Sequence, residues 1–236
     1  MYNNDEVKQI GKHYYKFIPL NHEIIKNIEK AVLPENSNIY IFDIDKTLYP
    51  PMDFPKVSSR KTLYLEYLVS IGHNHEEAEK VINEYSTKYG KILKGLLINH
   101  DISDELYNTF TSYDPEKYSI LTLDSEGIEI LKNLDGLKIC FTNAGVRHSE
   151  NILRRLGLIS YIDYVFHCDL EFRALIIKPE EDAYRLVENF LGVTNKAKIH
   201  FFDDKIENIS ASIALGWNGY HVNENESYKD ILKRIN

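Results

Sequence analysis

Ile39-Tyr40-Ile41-Phe42-Asp43-Ile44-Asp45-Lys46-Thr47-Leu48 decides how the rest of the chain is read. Four apolar residues run without interruption and stop at an aspartate, and a second aspartate and a threonine follow at two-residue steps. A short continuous apolar run predicts a strand buried on both faces of a parallel sheet. Carboxylates just past its end fall in the crevice at the carboxyl edge, where open α/β sheets bind ligands. Asp43 and Asp45 can both reach that crevice as the strand opens into a loop. Carboxylates sharing one site repel and require a cation or a shared proton. A hard divalent ion with oxygen ligands meets that need, Mg²⁺ being the usual one beside phosphate. A carboxylate can also act as a covalent nucleophile and form an aspartyl-phosphate. The same residues could equally form an acidic turn with a side-chain cap.

The 236 residues suit one domain with an insertion or two small domains. A hydrophobic fraction of 43% is enough for a sizeable core, and the net charge of −8 argues against a nucleic-acid partner. No apolar run approaches the ~20 residues of a membrane span, so no membrane partner is expected. Residues 1–16 are polar and lack the apolar stretch of a signal peptide. Cys140 and Cys168 lie in apolar strand-like runs and read as buried free thiols, which places the chain in a reducing compartment, the cytoplasm by default.

Working outward, residues 1–36 read as an N-terminal arm. Tyr14, Tyr15, Phe17 and Ile18 are apolar enough to dock, and a helix is predicted over 21–32, ended by Pro34. Tyr49-Pro50-Pro51 and Pro55 break the chain after the first strand. Residues 53–121 then show helical periodicity and no strand signal. Asn74-His-Glu-Glu77 has the form of a capping box, and Gly72 and Gly90 are helix stops. A helical block inserted directly after the first strand is a candidate lid, which would exclude water and contact substrate. Strands are predicted over 137–141, 164–168, 198–202 and 217–222, alternating with helices, one of which opens at Lys178-Pro179 with Pro at its first position. The expected fold is α/β, a doubly wound parallel sheet built from 37–52 and 122–236 with an inserted helical cap.

Polar residues recur at the predicted strand and helix boundaries: Asp43/Asp45, Thr142, Lys178 and Asp203/Asp204. Taken singly, Thr142 reads as a strand-terminal cap, Lys178 as a solvated lysine, His148 as a surface histidine on a helix, and Asp203-Asp204 as a helix cap. In the order Asp-x-Asp-x-Thr, Thr, Lys, Asp-Asp, they resemble the four motifs of the haloacid dehalogenase superfamily. The resemblance implies Asp43 as nucleophile, Asp45 as general acid and base, and Thr142, Asn143 and Lys178 on the phosphoryl oxygens. It also implies Mg²⁺ as cofactor, held by Asp43, Asp204 and the Asp45 backbone carbonyl with Asp203 in support. Dehalogenases lack an aspartate at the Asp45 position, since a halide needs no proton, so its presence implies phosphoryl chemistry.

Tyr85-Ser-Thr-Lys-Tyr-Gly90, Gly95-Leu96, His100 and Thr142-Asn-Ala-x-x-x-His148 further resemble the pyrimidine 5′-nucleotidase group of that superfamily. That resemblance implies a nucleoside monophosphate such as UMP or CMP as substrate, with Tyr89, His100 and His148 among its contacts. Two positions depart from the pattern: Lys46 stands where Asn or Gly is usual, and Lys205 where Ser often follows. Other small esters (a sugar phosphate, phosphoglycolate, FMN) and a phosphate-binding regulatory module without turnover remain open alternatives. The sequence sets no oligomeric state.

Overall fold

A computed structural model describes residues 16–31, 37–52, 60–112, 116–171, 173 and 175–236. Tyr14, Tyr15, Val32, Pro34 and Pro55, singled out above, lie outside the described residues. The chain divides into two compact units, Met1–Asp53 with Leu121–Asn236 and, separately, Phe54–Ile120.

The first unit is a six-stranded parallel sheet of order β1-β4-β3-β2-β5-β6. Its strands are β1 (Phe17–Pro19), β2 (Ile39–Phe42), β3 (Leu137–Phe141), β4 (Tyr164–His167), β5 (Ile199–Asp203) and β6 (Asn218–His221). β2 is central and fully buried, which is why its sequence is apolar without alternation. Ile39 and Ile41 join the core formed with α8 (Glu181–Leu191), where Tyr184 and Phe190 pack against Phe141, Phe166 and Phe201. Tyr40 and Phe42 are stacked on His200 and Phe202, and Tyr228 of α10 (Tyr228–Ile235) meets Phe42 edge-on. α6 (Ser125–Asn133), α7 (Val146–Arg155) and α9 (Ile206–Ala214) complete this unit's longer helices. Both cysteines are buried and neither forms a disulfide.

The N-terminal segment departs from expectation. Phe17–Pro19 pairs in parallel with β4, adding an edge strand to the sheet. The predicted 21–32 helix is only α1 (His22–Asn27), with Asn21 as its N-cap. Ile28 is already extended, and Ala31 N donates to Phe190 O, so the chain leaves helical geometry to follow α8.

The second unit contains α2 (Arg60–Ser70), α3 (His75–Tyr89), α4 (Ile92–Asn99) and α5 (Asp104–Phe110), and no strand among its described residues. Asn74 and Glu77 form the capping box at the start of α3, and Gly90 ends it in the left-handed region. A Cβ on Gly95 would lie 2.4 Å from the Tyr85 ring, so only glycine lets α4 approach α3 this closely. No described helix is long and apolar enough to cross a membrane.

Candidate active site

The ladder register sets the site. Phe42 pairs with Phe202, and Asp43 N continues the ladder onto Phe202 O, so Asp43 and Asp203 leave neighbouring strands at one level. Thr142 follows β3 on the other side of β2, with its N–H donating to Phe166 O. Asp43, Thr142, Lys178 and Asp203 are all buried, and Asp204 is partly so.

Lys178 is the hub. Its ammonium donates to Asp43 Oδ1 at 2.8 Å, Asp203 Oδ2 at 2.6 Å and Phe141 O at 2.5 Å, and is 1% exposed. Burial alone would lower its pKa, but the charges of Asp203 and Asp43 outweigh that and raise it. Its backbone is clamped by Asn143, whose Oδ1 accepts from Lys178 N at 2.8 Å while Nδ2 donates to Lys178 O at 2.7 Å. The Asn143 amide is therefore engaged in placing the lysine. Pro179 is not the first residue of the helix that follows: Glu180 is the N-cap and α8 starts at Glu181. The residue before a proline favours extended geometry, and the Asn143 clamp holds Lys178 outside the helix.

Asp203 accepts from Lys205 N and from Asn208 Nδ2 on both oxygens, so it does not cap a helix with its side chain. Asp43, Asp203 and Asp204 each offer an oxygen within 4.8 Å of the others. Burial pushes the Asp43 carboxyl well up, and the Asp203 and Asp45 charges add to this against the pull of Lys178. Asp204 is raised by burial and by Asp203, with Lys46 and Lys205 opposing. Three carboxylates crowd around one ammonium, and all their donors are hard oxygens. That set fits a divalent cation such as Mg²⁺, which would balance the excess negative charge.

Asp45 has other partners. Its carboxylate accepts from Tyr49 Oη at 2.5 Å, and His148 Nε2 lies 2.7 and 3.0 Å from its two oxygens. His148 is only 12% exposed at its side chain, so it is not the surface histidine its helix position suggested. Tyr49 and Asn208 are site residues that the motif reading passed over as chemistry. Asn208 sits five residues past Asp203, and Tyr49 entered the sequence reading only as the start of the break after the first strand.

Tyr89 and His100 belong to the second unit. Asn99 Nδ2 donates to Tyr89 Oη at 3.2 Å, and His100 Nε2 lies 2.9 Å from Tyr85 Oη. Burial and the nearby His73 lower the His100 pKa.

A family model described as haloacid dehalogenase-like hydrolase matches residues 38–216. Phosphate metabolism protein 8 of Saccharomyces cerevisiae is 26% identical over 246 residues, covering 97% of this chain and 76% of the yeast protein. Among solved structures, L-2-haloacid dehalogenase of Xanthobacter autotrophicus aligns at 17% identity and TM-score 0.46, over 84% of this chain and 81% of its own. A HAD-superfamily hydrolase from Ehrlichia chaffeensis aligns at 14% identity and TM-score 0.46, over 89% and 98%.

Proposed function

Because this chain belongs to the haloacid dehalogenase-like hydrolase family, we propose that it is a Mg²⁺-dependent phosphomonoester hydrolase working through an aspartyl-phosphate on Asp43. The observation that carries this reading is the division of labour between the two aspartates of the first motif. Asp43 is bound to the buried Lys178, whereas Asp45 is bound to Tyr49 and His148. One carboxylate is thus oriented by a fixed cation, and the second by a tyrosine and a histidine, where it can exchange protons. Ester hydrolysis needs both, since an alkoxide leaves only with a proton.

In the first half-reaction an Asp43 oxygen bonds to phosphorus as the ester P–O bond breaks, and the Asp45 carboxyl gives its proton to the departing oxygen. In the second, water bonds to phosphorus while Asp45 takes its proton and the Asp43–phosphorus bond breaks. Lys178 holds the Asp43 carboxylate in position and offsets phosphoryl charge, and Thr142 with the adjacent backbone amides donates to phosphoryl oxygens. Asp43, Asp204 and the Asp45 backbone carbonyl, with Asp203 in support, would hold Mg²⁺, which when bound would supply the positive charge that lets an anionic ester approach an anionic nucleophile.

Pyrimidine nucleoside 5′-monophosphates are the substrates this reading favours, with the helical cap expected over 53–121 proposed to select them. Tyr89 and His100 in that unit are aromatic and polar together, which suits a nucleobase. The name of the yeast relative, a phosphate metabolism protein, accords with phosphate chemistry. Buried free thiols suit a reducing compartment such as the cytoplasm. A second reading, an ester carrying another anionic group such as phosphoglycolate, draws on the exposed Lys46 and Lys205, whose charges reach Asp204.

Phosphate release from UMP, CMP, dTMP, AMP, GMP, FMN, phosphoglycolate and glucose 6-phosphate, with Mg²⁺ and with EDTA, tests the proposal. UMP and CMP are expected to lead, EDTA to stop release, and Asp43→Asn to abolish it without unfolding the protein. Near-normal activity of Asp43→Asn would remove the nucleophile assignment, and full activity after exhaustive EDTA treatment the metal role.

A further inference from the structure

We infer that His148 and Tyr49 are positioning residues that fix the carboxylate of Asp45 for its proton transfers, and that His148 is not a substrate contact. The inference rests on the phosphatase reading above and deepens it. A side-chain carboxylate can turn about its torsions, and one facing a crowded acidic cluster has two competing attractions: a cation and an ammonium. Lys178 donates to Asp43, Asp203 and Phe141 O. Asp45 instead takes a hydrogen bond from Tyr49, four residues along the loop after β2, and faces His148, 103 residues away on α7.

The two tethers come from different elements, so together they fix both the direction and the roll of the carboxylate. Tyr49 Oη and His148 Nε2 converge on Oδ1, and His148 also lies 3.0 Å from Oδ2. Both tethers are themselves largely buried: Tyr49 is 6% exposed and the His148 side chain 12%. The start of α7 is seated by Gly145, its N-cap, where a Cβ would lie 2.6 Å from Leu170. The helix gains nothing from a basic side chain in its first turn, since the N-terminal end of the dipole is positive. His148 is therefore explained by what it touches and not by the helix that carries it. A general acid displaced by about an ångström loses on the order of 100-fold in rate, so holding this carboxylate is worth a rate factor of that scale.

The test uses the full chain with Mg²⁺, the alkyl phosphate of the panel turned over best, and p-nitrophenyl phosphate. The aryl leaving group departs with little help from a proton, so its first half-reaction is insensitive to Asp45, while hydrolysis of the aspartyl-phosphate still needs a base. His148→Ala is expected to lower kcat on the alkyl ester about 10- to 100-fold with KM within about threefold. On the aryl ester it should give a burst of p-nitrophenol near one equivalent followed by slow turnover. His148→Gln, whose amide nitrogen can stand in for Nε2, should recover most of kcat. Tyr49→Phe should lower kcat in the same sense and carries the test if His148→Ala fails to fold. A raised KM with unchanged kcat overturns the inference in favour of a substrate contact. Equal loss in the aryl burst and in turnover, with Gln no better than Ala, overturns it in favour of a purely structural role. Wild-type turnover with both variants unimpaired overturns it alone. No release from either ester by the wild type overturns the phosphatase reading as well.

Discussion

Replacing Lys178 with Met separates the stability role of the buried cation from its catalytic one. The substitution removes three donated hydrogen bonds, to Asp43, Asp203 and Phe141 O, from a side chain that is 1% exposed. Truncating one partner of a buried ion pair costs about 3–5 kcal/mol, because the other partner is left charged and desolvated. Asp203 retains donors from Asn208 and Lys205, so the loss falls mainly on Asp43. The thioether returns about 1 kcal/mol by packing where the ammonium lay, near the Phe141 and Phe201 rings. The net expectation is a loss of about 2–4 kcal/mol. At about 2–4 °C per kcal/mol for a chain of this size, the melting temperature falls by about 5–15 °C.

The decisive comparison is the double variant Asp43→Asn/Lys178→Met. Neutralising Asp43 removes the stranded charge, so the second substitution should restore about 2 kcal/mol to the first. Thermal and urea unfolding followed by circular dichroism, with EDTA present so that no cation fills the site, measures all four corners of the cycle. Additive losses, with the double variant less stable than Lys178→Met, would refute the view that an uncompensated Asp43 charge is what Lys178 offsets. Phosphate release by folded Lys178→Met should fall by a factor of about 100–1,000, the usual loss of one fixed electrostatic group.

Three further outcomes follow from the same contacts. Glu188 is buried, yet hydrogen bonds from Lys196, Trp217 and Arg185 outweigh the effect of burial and hold its pKa below the usual 4.5. Its contribution is therefore present above pH 4.5 and lost as pH falls through the folded value. Glu188→Gln should cost about 1–2 kcal/mol at pH 7, and the gap to wild type should close below pH 4.5. Urea unfolding followed by the fluorescence of Trp217, the chain's single tryptophan, reads this directly, and a gap constant from pH 7 to pH 3 would refute it. Gly95→Ala should destabilise the second unit by about 1–2 kcal/mol, overpacking against Tyr85 exceeding the helix-propensity gain. Hydrogen exchange over 85–99 should then accelerate, and slower exchange would contradict the packing argument. Mg²⁺ at 100 times its dissociation constant should raise the stability of the wild type by about 2.7 kcal/mol, and Asp204→Asn should show a smaller rise. An equal rise in both would place the ion elsewhere.

The parts of this molecule legible in its sequence share a physical cause. β2 could be read because a central strand buried on both faces must be apolar at every position, and the ladder then carries Asp43 to the same edge as Asp203. Lys178 could be located, but its hub role could not: a lysine beside a proline reads as solvated until the sheet encloses it. β1 was hidden because three residues ending in proline on an edge give no periodicity, and only the groove beside β4 makes them a strand. α1 stops short because Ile28 turns extended and Ala31 bonds to Phe190 O, a tertiary contact no local propensity records. Lys46 shows the reverse case. Its φ of +61 lies in the left-handed region, which is why Asn or Gly is the usual residue there and why the departure was visible as an oddity before its cause was.

The same reasoning says where specificity has to be sought. Strand ends are rigid and few, and on the proposed reading the residues placed there serve the phosphoryl group, which every phosphate ester shares. What differs between esters lies beyond that group, and nothing at the ends of β2, β3 or β5 distinguishes a uridine from a hexose. Aromatic pairs such as Tyr67 with His100 and Tyr85 with Tyr89 are carried by helices of the second unit, whose sequence is constrained by helix packing and caps. A substitution such as Tyr89→Ala should therefore redistribute KM values across the panel while leaving the EDTA sensitivity and the Asp43 requirement intact. Loss of turnover on every ester alike would mean that the second unit takes part in the chemistry itself.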